Sequence, residues 1–379
     1  IEKLIGRKII FCENPLSEET QKIADKLNPG EIILLENLRF FKGELEADEK
    51  FAQKLAKLGD CYVNNSFGTA HRNHVSTATI AKFFPYDKMF GYVFESEIKK
   101  LDKLIKSAET PFTLMIGGDK VTTKIGIVEA LLPKIDNLLI GGAIAFTFAK
   151  AIGYNVGKSL VEEEYIAVAK RILEKAEKFN VKIQLPVDCL IADKNGNDGN
   201  IEHCEFSEIP ENWTALDIGI KTVDLFAEII EDSKTLLWDG PLGVYELPHF
   251  SYGTLKLALS VARATDKGLY SVIGGGDTIA ALNKYSLAHK ISYISSAGGA
   301  LLEYFEKKNL PSIKAIVESF SIDDYNFYGK QALIRVDFNV PLDKDFSIVD
   351  NTRIVTAIPT IRKILADGGS VVLMTHLGR

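Results

Sequence analysis

Two kinds of residue in this sequence could hold an anion, and the first is glycine at the ends of short apolar runs. Gly117-Gly118, Gly141-Gly142 and Gly274 to Gly276 each follow such a run. Glycine lets backbone amides approach a phosphate closely, and a following helix adds its unpaired N–H groups. Each corner alone is equally typical of a tight turn, and Lys124 alone is typical of a solvated helix face. Together with Lys120, one helical turn before Lys124, the three corners favour a polyphosphate site.

The second kind is a set of basic side chains that also follow apolar runs. They are Arg39, Arg72, Arg353, His376 and Arg379. Arginine is always charged and can grip phosphate or carboxylate with two hydrogen bonds. Each of these arginines alone is typical of an exposed salt bridge. Their shared placement at predicted strand ends instead predicts convergence on a small polyanion.

Two segments nearly match known nucleotide-binding motifs. The first differs from its motif in spacing, and the second differs in one residue. The segment from Gly153 to Ser159, GYNVGKS, is one residue short of a phosphate-binding loop and follows a helix-like segment. Ser159 and Glu162 have the spacing of a helix capping box, which we take as the simpler interpretation. In GGGDTI, Ile279 stands at the last glycine position of a dinucleotide fingerprint, which excludes a nicotinamide dehydrogenase.

Other catalytic and metal-binding patterns find little support. His71 and His74 lie one helical turn apart, and His203 precedes Cys204, but neither pair belongs to a recognised zinc set. Histidine beside arginine suits anion binding equally well. The sequence has no GxSxG nucleophile motif, so it predicts no covalent catalysis.

The elements that must position these residues alternate between strand and helix. Short apolar runs and segments with helical spacing follow one another, which predicts parallel sheets. We therefore expect an α/β fold with two open parallel sheets and with ligands beyond the carboxyl ends of the strands. The predicted strands are Lys8–Cys12, Glu31–Leu35, Cys61–Val63, Phe112–Ile116, Asn137–Ile140, Lys182–Leu185, Thr235–Leu237, Ser271–Ile273, Ile291–Ile294, Ala332–Val336 and Ser370–Met374. The clearest helices are Ser17–Leu27, Asp48–Leu58, Glu95–Ser107, Glu162–Phe179, Thr222–Glu231 and Tyr252–Thr265.

Composition narrows the class of protein. The 379 residues are 46% hydrophobic and 25% charged, which is typical of a globular protein of two domains. A formal charge of -6 provides no global basic field, so we expect no nucleic-acid partner. The four cysteines form no CxxC pair and are expected to be free thiols. No apolar run approaches the ~20 residues of a membrane helix, and the start lacks a signal-peptide pattern, so we expect a cytoplasmic protein.

Motifs along nearly the whole chain resemble those of the phosphoglycerate kinase family. One set carries the arginines: RVDFNVP (335–341), NTRI (351–354), THLGR (375–379), LLENLRF (34–40) and FGTAHR (67–72). The other carries the glycines: IGGDKVTTK (116–124), IGGAIAFTF (140–148), LPVD (185–188), WDGPLGVYE (238–246), GGGDT (274–278) and SSAGGA (295–300).

The order of these motifs is rotated relative to the family. The DFN and HLGR segments come first in the family and last here, and a short family segment expected between HLGR and the opening IEKLIGRK is missing. Two explanations fit: a circular permutation with new ends at an active-site loop, or a record that joins two segments around an unobserved loop. The resemblance implies an α/β fold of two Rossmann-like three-layer domains with parallel sheets, separated by a hinged cleft. One is a phosphoglycerate-binding domain of residues 1–90 plus 318–379, and the other is a nucleotide-binding domain of residues 91–317. The helix Glu95–Ser107 would connect them.

The resemblance also implies an activity and a role for each candidate residue. The reaction is reversible phosphoryl transfer between 1,3-bisphosphoglycerate and ADP, giving 3-phosphoglycerate and ATP, with Mg²⁺. A monomer with small-molecule partners alone is expected. The phosphoglycerate would be held by Asp337, Asn339, Arg39, Arg72, Arg353, His376 and Arg379. The nucleotide would be held by Lys120, Lys124, Gly142, Gly219, Glu246, Gly275, Gly276, Asp277 and Thr278, with Glu246 at the ribose and Asp277 at the metal. The migrating group would be stabilised by Arg353, Lys120, Gly276 and Gly299.

Several residues depart from the family pattern, including Asn65, Thr122-Thr123, Ala143 and Ala297. Asp119 replaces alanine and Asp239 replaces asparagine, and carboxylates near a triphosphate lower the positive potential that binds it. The sequence therefore predicts weaker nucleotide binding without magnesium than in a variant carrying Asp119→Ala and Asp239→Asn. The alternative hypothesis is a non-catalytic relative that keeps the fold and binds ligands or partners.

Overall fold

The computed structural model describes residues 1–194, 199–307, 309–316 and 320–378. Arg379 and the predicted boundary at residues 317 and 318 lie outside the described residues. The chain divides into two compact units. The first consists of Ile1–Lys99 with Lys307–Arg379, and the second is Lys100–Glu306.

The strands and helices alternate along most of the chain. The strands are β1 Ile9–Cys12, β2 Ile32–Leu35, β3 Cys61–Asn64, β4 Lys88–Phe90, β5 Phe112–Ile116, β6 Asn137–Ile140, β7 Asn155–Val156, β8 Lys182–Gln184, β9 Asp188–Ala192, β10 Ile201–Glu205, β11 Glu208–Ile209, β12 Thr214–Ile218, β13 Thr235–Asp239, β14 Tyr270–Gly274, β15 Tyr293–Ile294, β16 Gln331–Arg335 and β17 Ser370–Met374. The α-helices are α1 Glu2–Ile5, α2 Glu18–Ala24, α3 Lys42–Leu45, α4 Glu49–Ala56, α5 Tyr92–Lys106, α6 Ile125–Leu131, α7 Ile144–Ala151, α8 Ile166–Lys178, α9 Ile220–Asp232, α10 Tyr252–Asp266, α11 Gly276–Lys284, α12 Gly299–Lys307, α13 Pro311–Ala315 and α14 Thr352–Ala366.

The first unit is built on a six-stranded parallel sheet in the order β1-β2-β17-β16-β3-β4. The strands of the first and last parts of the chain therefore pair directly, for example Leu373 with Leu34 and Arg335 with Asn64. Strand β17 is buried along its whole length, as expected for a parallel strand covered on both faces. The strand order reverses between β16 and β3, which places a crevice at their carboxyl ends.

The second unit contains another six-stranded parallel sheet, in the order β15-β14-β13-β5-β6-β8. The chain runs outward from β5 to β6 and β8, and outward from β13 to β14 and β15. The reversal therefore falls between β5 and β13, whose last residues Ile116 and Asp239 are partners. The two parallel sheets confirm the predicted α/β fold class.

An antiparallel sheet in the second unit was not predicted. It has the order β10-β9-β12. Strands β11 and β7 form a separate two-stranded sheet in the same unit. Strand β10, IEHCE, is largely exposed and carries three polar or charged residues out of five. Such a strand lacks the continuous apolar run that identifies a buried parallel strand, so the sequence pattern missed it.

Two helices begin at side-chain caps that can be recognised in the sequence. Ser17 accepts a hydrogen bond from the amide of Thr20 at the start of α2, and Asp48 accepts one from the amide of Phe51 at the start of α4. Each cap satisfies one of the amides that a helix leaves unpaired in its first turn. These local signals place helix starts close to their predicted positions.

The capping box predicted at Ser159 is wrong. Helix α8 begins only at Ile166, and the hydroxyl of Ser159 accepts a hydrogen bond from the amide of Ala215 at 3.0 Å. The carboxylate of Glu162 accepts hydrogen bonds from the amide and hydroxyl of Thr122 at 3.3 and 3.1 Å. Both side chains therefore accept hydrogen bonds from residues that are distant in the chain. The fold brings these distant donors within hydrogen-bond distance, whereas the first amides of α8 do not bond to Ser159.

Candidate active site

In the first unit, the predicted basic residues follow strands that lie side by side. Arg335 at the end of β16 pairs with Met374 of β17 on one side and with Asn64 of β3 on the other. The segments that leave these strands therefore share one edge of the sheet. His376 follows β17, and Asp337 and Asn339 follow β16.

Asp337 and Arg353 form a direct ion pair at this edge. The Nη1 atom of Arg353, in the first turn of α14, donates to Oδ2 of Asp337 at 2.9 Å. The other oxygen of Asp337 accepts the amide of Asn339 at 3.1 Å. Side-chain exposure is 38% for Arg353 and 15% for Asp337, so the pair is anchored in the protein while the guanidinium still reaches solvent. The carboxylate fixes the direction of an arginine that can also grip a second anion.

The loop after β17 is tied to two other segments. Oδ1 of Asn339 accepts the amide of Gly378 at 2.8 Å, and Nη1 of Arg39 donates to the carbonyl of Gly378 at 3.0 Å. Asn37 donates to the carbonyl of Leu377 at 2.7 Å. These bonds bring three predicted substrate residues, Arg39, Asn339 and His376, into one cluster.

The charge of this cluster is strongly positive. Burial lowers the pKa of Arg39, and the neighbouring charges of Arg72 and Arg335 lower it further. Such mutual repulsion between guanidinium groups is relieved when an anion binds among them. The Nε atom of Arg39 is buried and makes no hydrogen bond within the described part of the chain. The structure therefore supports the predicted anion site.

Three residues of this cluster were not predicted. Arg335 is 2% exposed, and its Nη2 atom lies 2.8 Å from Nδ1 of His376. Glu44, 1% exposed, accepts the amide of Ser76 at 2.9 Å and its hydroxyl at 2.6 Å. Nδ1 of His74 lies 4.0 Å from Glu44. The positive charge two residues before DFN, at the end of a strand, was the available signal for Arg335, whereas nothing local distinguishes Glu44.

In the second unit, the glycine corners lie at the strand-order reversal. The amide of Gly117 donates to the carbonyl of Asp239 at 3.0 Å, and that of Gly118 donates to the carbonyl of Pro241 at 2.8 Å. Gly142 has a φ of 60°, and a Cβ there would lie 2.7 Å from the backbone nitrogen of Gly118. Gly142 is therefore required for the close packing of these loops, and it lies at the predicted site.

Helix α11 begins at the third glycine corner without a side-chain cap. Gly275 has a φ of 80°, and a Cβ there would lie 2.2 Å from Oδ1 of Asp239. A Cβ on Gly276 would meet no atom within 4 Å. The hydroxyl of Thr278 accepts the amide of Gly240 at 2.7 Å, so this side chain holds the neighbouring corner. The first turn of α11 thus presents backbone amides and open space, which suit a phosphate.

Lys124 is held by the unusual aspartate. Its Nζ atom lies 2.7 Å from Oδ1 of Asp239, and the two side chains are 14% and 3% exposed. Lys120, by contrast, is exposed. Since Asp239 neutralises one of the two predicted phosphate-binding lysines, the local positive potential is lower than the lysine pair alone implies.

At Gly219, the helix start is already occupied. The carboxylate of Asp188 accepts the amide of Thr222 at 2.8 Å and the amide of Lys221 at 3.1 Å. This cap satisfies two amides of α9 that a ligand would otherwise use. A Cβ on Gly219 would lie 2.2 Å from the same carboxylate, so the glycine permits the approach of Asp188.

A cavity of about 900 Å³ opens beside these corners. Four of the predicted residues line it: Gly142, Glu246, Asp277 and, from the first corner, Gly118. Apolar side chains, among them Phe146 and Phe206, form much of the remaining wall. An apolar pocket beside backbone amides suits a planar base joined to phosphates. The lining of this cavity does not include Lys120, Lys124, Gly219, Gly275, Gly276, Thr278 or Gly299.

Comparison with known proteins decides the family. The family model described as phosphoglycerate kinase matches residues 1–308 and 322–379. The chain belongs to the phosphoglycerate kinase family. The predicted family is thereby confirmed, and with it the predicted phosphotransferase activity and small-molecule substrates.

Curated members of the phosphoglycerate kinase family share much of this sequence. The phosphoglycerate kinase of Porphyromonas gingivalis (strain ATCC BAA-308 / W83) is 42% identical over 340 residues, which cover 83% of this chain and 81% of that protein. Phosphoglycerate kinase 3, cytosolic, of Arabidopsis thaliana is 43% identical over 319 residues, covering 84% of this chain and 79% of the relative.

Solved structures of phosphoglycerate kinases have the same fold. The enzyme from Coxiella burnetii superposes with a TM-score of 0.74 at 39% identity, covering 83% of this chain and 78% of that chain. The enzyme from Pyrococcus horikoshii OT3 gives a TM-score of 0.72 at 29% identity, covering 83% of this chain and 79% of that chain.

No helix among the described residues is long and apolar enough to cross a membrane.

The magnesium ion that phosphoglycerate kinases use with nucleotides fits the residues at α11. Mg²⁺ is usually bound by one or two carboxylates together with substrate phosphates and water, without a cage of protein ligands. Asp277 lies exposed in the first turn of α11 and lines the cavity. The described residues contain no group of three or more His, Cys, Asp or Glu that could hold a metal. This donor set matches a metal that arrives with the nucleotide.

Proposed function

We propose that the two units divide the substrates of the phosphoglycerate kinase reaction between them. The first unit binds phosphoglycerate and the second binds the nucleotide, as the predicted domains of residues 1–90 plus 318–379 and of residues 91–317 imply. The strongest support for the first assignment is the cluster of cations around the buried, unpartnered Nε of Arg39. The strongest support for the second is the uncapped start of α11 beside the apolar cavity.

In the first unit, each proposed ligand has a distinct task. Arg353, held by Asp337 at 2.9 Å, directs its remaining N–H groups at an oxygen of the substrate. Arg39 and Arg72 supply further positive charge, and Asn339 holds the loop that carries His376. Arg379 completes the proposed phosphoglycerate site.

In the second unit, backbone groups carry most of the proposed nucleotide site. Gly275, Gly276 and Gly142 admit the phosphates, while Lys120 and Lys124 supply charge. Gly219 acts by admitting Asp188 to the start of α9, and Thr278 acts by holding the amide of Gly240 in the corner after β13. Glu246, exposed at the mouth of the cavity, is proposed to meet the ribose.

The proposed chemistry is alignment and charge neutralisation, because phosphoryl transfer needs little covalent help from a protein. Arg353, Lys120 and the helix starts at Gly276 and Gly299 stabilise the charge on the migrating group. When bound at Asp277, Mg²⁺ would neutralise charge on the nucleotide phosphates. The transfer requires the acid and the nucleotide to meet with water excluded.

The test is a coupled assay of ATP-dependent phosphorylation of 3-phosphoglycerate, run with and without magnesium. Robust turnover that requires both substrates supports the proposal. Nucleotide binding measured by calorimetry without any turnover would instead favour a non-catalytic relative. Loss of binding of both ligands, in a chain that still unfolds cooperatively, would contradict both assignments.

A further inference from the structure

Arg335 is a buried cation next to the proposed phosphoglycerate site, and it is not one of the predicted site residues. It is the last residue of β16 and is 2% exposed. Its Nη2 atom lies 2.8 Å from Nδ1 of His376, and its Nη1 atom donates to the carbonyl of Val336. The guanidinium therefore spans from its own strand end to the histidine that follows β17.

The contact with Arg335 fixes which ring nitrogen of His376 carries the proton. A guanidinium has only donors, so at 2.8 Å the facing Nδ1 atom must be an acceptor and must be unprotonated. The proton of the neutral ring then resides on Nε2. A backbone carbonyl facing Nδ1 would have the opposite effect, since it would hold a proton on Nδ1 and leave Nε2 as a lone pair.

We propose that Arg335 is a positioning residue that locks His376 as the neutral Nε2–H tautomer, so that this ring offers one N–H donor to an oxygen of the bound acid. The inference rests on the proposed function of this unit. A lone pair at Nε2 would repel an anionic oxygen, whereas an N–H attracts it. Arg335 thus determines whether His376 helps or hinders substrate binding.

The surroundings of His376 keep the ring neutral. The ring is 3% exposed, and the charged groups that act on it are four arginines: Arg335, Arg39, Arg353 and Arg72. Burial first and these positive charges second lower the pKa of His376 to about 2. The acidic neighbours Glu44 and Asp337 act on Arg335 and raise its pKa against the effect of burial. A neutral donor therefore adds a hydrogen bond without adding another cation to the cluster.

The first experiment observes the tautomer directly in the whole chain. The protein is labelled with ¹⁵N-histidine, and the ring nitrogens are followed by NMR from pH 5 to 9, with His376 assigned by the loss of its signals in His376→Gln. We expect an Nε2–H ring that does not titrate. In Arg335→Met we expect the same ring to titrate or to populate the Nδ1–H form. A wild-type ring protonated on Nδ1, or a ring unchanged in Arg335→Met, would overturn the proposal.

A second experiment covers the case in which Arg335→Met does not fold. Glutamine at position 376 can accept from Arg335 through its oxygen and donate outward through its nitrogen, whereas leucine of similar size can do neither. We expect KM for 3-phosphoglycerate to be several-fold higher in His376→Leu than in His376→Gln, because glutamine alone of the two keeps an outward donor. Equal KM values for the two variants would refute the donor role.

The two experiments separate this inference from the proposed function. If the wild-type chain neither binds nor phosphorylates 3-phosphoglycerate, the proposed function fails. The tautomer measured by NMR would still report whether Arg335 controls His376. If turnover is normal but the ring carries its proton on Nδ1, only the present inference fails.

Discussion

The two units prepare an anion site in opposite ways. In the first unit the site is made of side chains, with a buried arginine behind a histidine and an aspartate that fixes Arg353. In the second unit it is made of backbone, with glycines packed so closely that a Cβ on Gly142 would lie 2.7 Å from a neighbouring nitrogen. The comparison teaches that the first site depends on charge and protonation, whereas the second depends on space.

The difference also appears in how each site manages excess charge. Arg39 and Arg335 both have a pKa lowered chiefly by burial, so the first unit holds cations at some cost in stability. In the second unit Lys124 is already neutralised by Asp239. Substitutions in the first unit should therefore change electrostatics, and those in the second should change shape or metal dependence.

The largest effect is expected at Arg353. Arg353→Ala removes a guanidinium proposed to stabilise the migrating group, and it removes the ion-pair partner of Asp337. We expect kcat/KM for 3-phosphoglycerate to fall about 10²- to 10³-fold, roughly 3–4 kcal/mol of transition-state stabilisation, in the coupled assay. Arg362→Ala on the same helix is the control, since Arg362 is exposed and donates to the carbonyl of Leu4. Equal losses in both variants would contradict the assignment.

A pH dependence of stability should come from the first unit. Burial and the nearby arginines lower the pKa of His74 to about 4 and that of His376 to about 2, below the unfolded value of about 6.5. Between these values the unfolded chain binds more protons, so the free energy of unfolding falls as the pH is lowered from 6.5. Each histidine lowers the free energy of unfolding by about 1 kcal/mol for each pH unit below 6.5, down to its own folded-state pKa.

This slope can be isolated by urea unfolding at pH 6.5 and pH 4.5. Burial raises the pKa of Glu44, and it raises that of Asp217 in the second unit to about 7, so both carboxyls act in the opposite direction. The wild type is therefore compared with His376→Gln or His74→Gln, in which these carboxyls are retained. We expect each variant to lose less stability between the two pH values than the wild type. Parallel losses would show that neither histidine is held neutral by the fold.

A steric test addresses the backbone site in the second unit. Gly276→Ala adds a methyl group where no atom lies within 4 Å, so we expect an unchanged free energy of unfolding. If a phosphate lies there, calorimetry should show about tenfold weaker binding of Mg·ADP. Gly142→Ala is the contrasting variant, because its φ of 60° and close neighbours predict a loss of stability as well. An unaltered affinity for Mg·ADP in Gly276→Ala would show that the phosphates do not bind beside Gly276.

The smallest effect concerns the two unusual carboxylates. Combined Asp119→Ala and Asp239→Asn should strengthen binding of ADP without magnesium by a few fold, or about 1 kcal/mol. The structure sharpens this prediction, because Asp119 is exposed and screened while Asp239 holds Lys124. Most of the gain should therefore come from Asp239→Asn alone. Asp266→Asn, at an exposed ion pair with Lys290, is the control. Equal affinities with a chelator present would contradict the idea.

A further departure from the family becomes understandable in the structure. Asn65 accepts the amide of Val93 at 3.0 Å and the hydroxyl of Thr360 at 3.0 Å through Oδ1. Its Nδ2 atom is buried and has no hydrogen-bond partner among the described residues. The side chain therefore acts at the start of α5, a structural position that the sequence motif alone did not reveal.

The sequence by itself determined most strands of the two parallel sheets, most of the long helices, the α/β class and the family. These features follow from local patterns: continuous apolar runs such as β17, caps such as Asp48, and glycines after strands. Each pattern is recognisable within its own few residues.

Only the tertiary structure decided which partner each polar group takes. Arg335 with His376, Lys124 with Asp239, Asp188 at the start of α9, and Ser159 with Ala215 all join residues that are distant in the chain. A local pattern records propensity and periodicity, but a buried donor takes whichever acceptor the packing brings within hydrogen-bond distance. The tautomer of His376 and the partial neutralisation of the nucleotide site follow from those distances, and for this reason the sequence could not specify them.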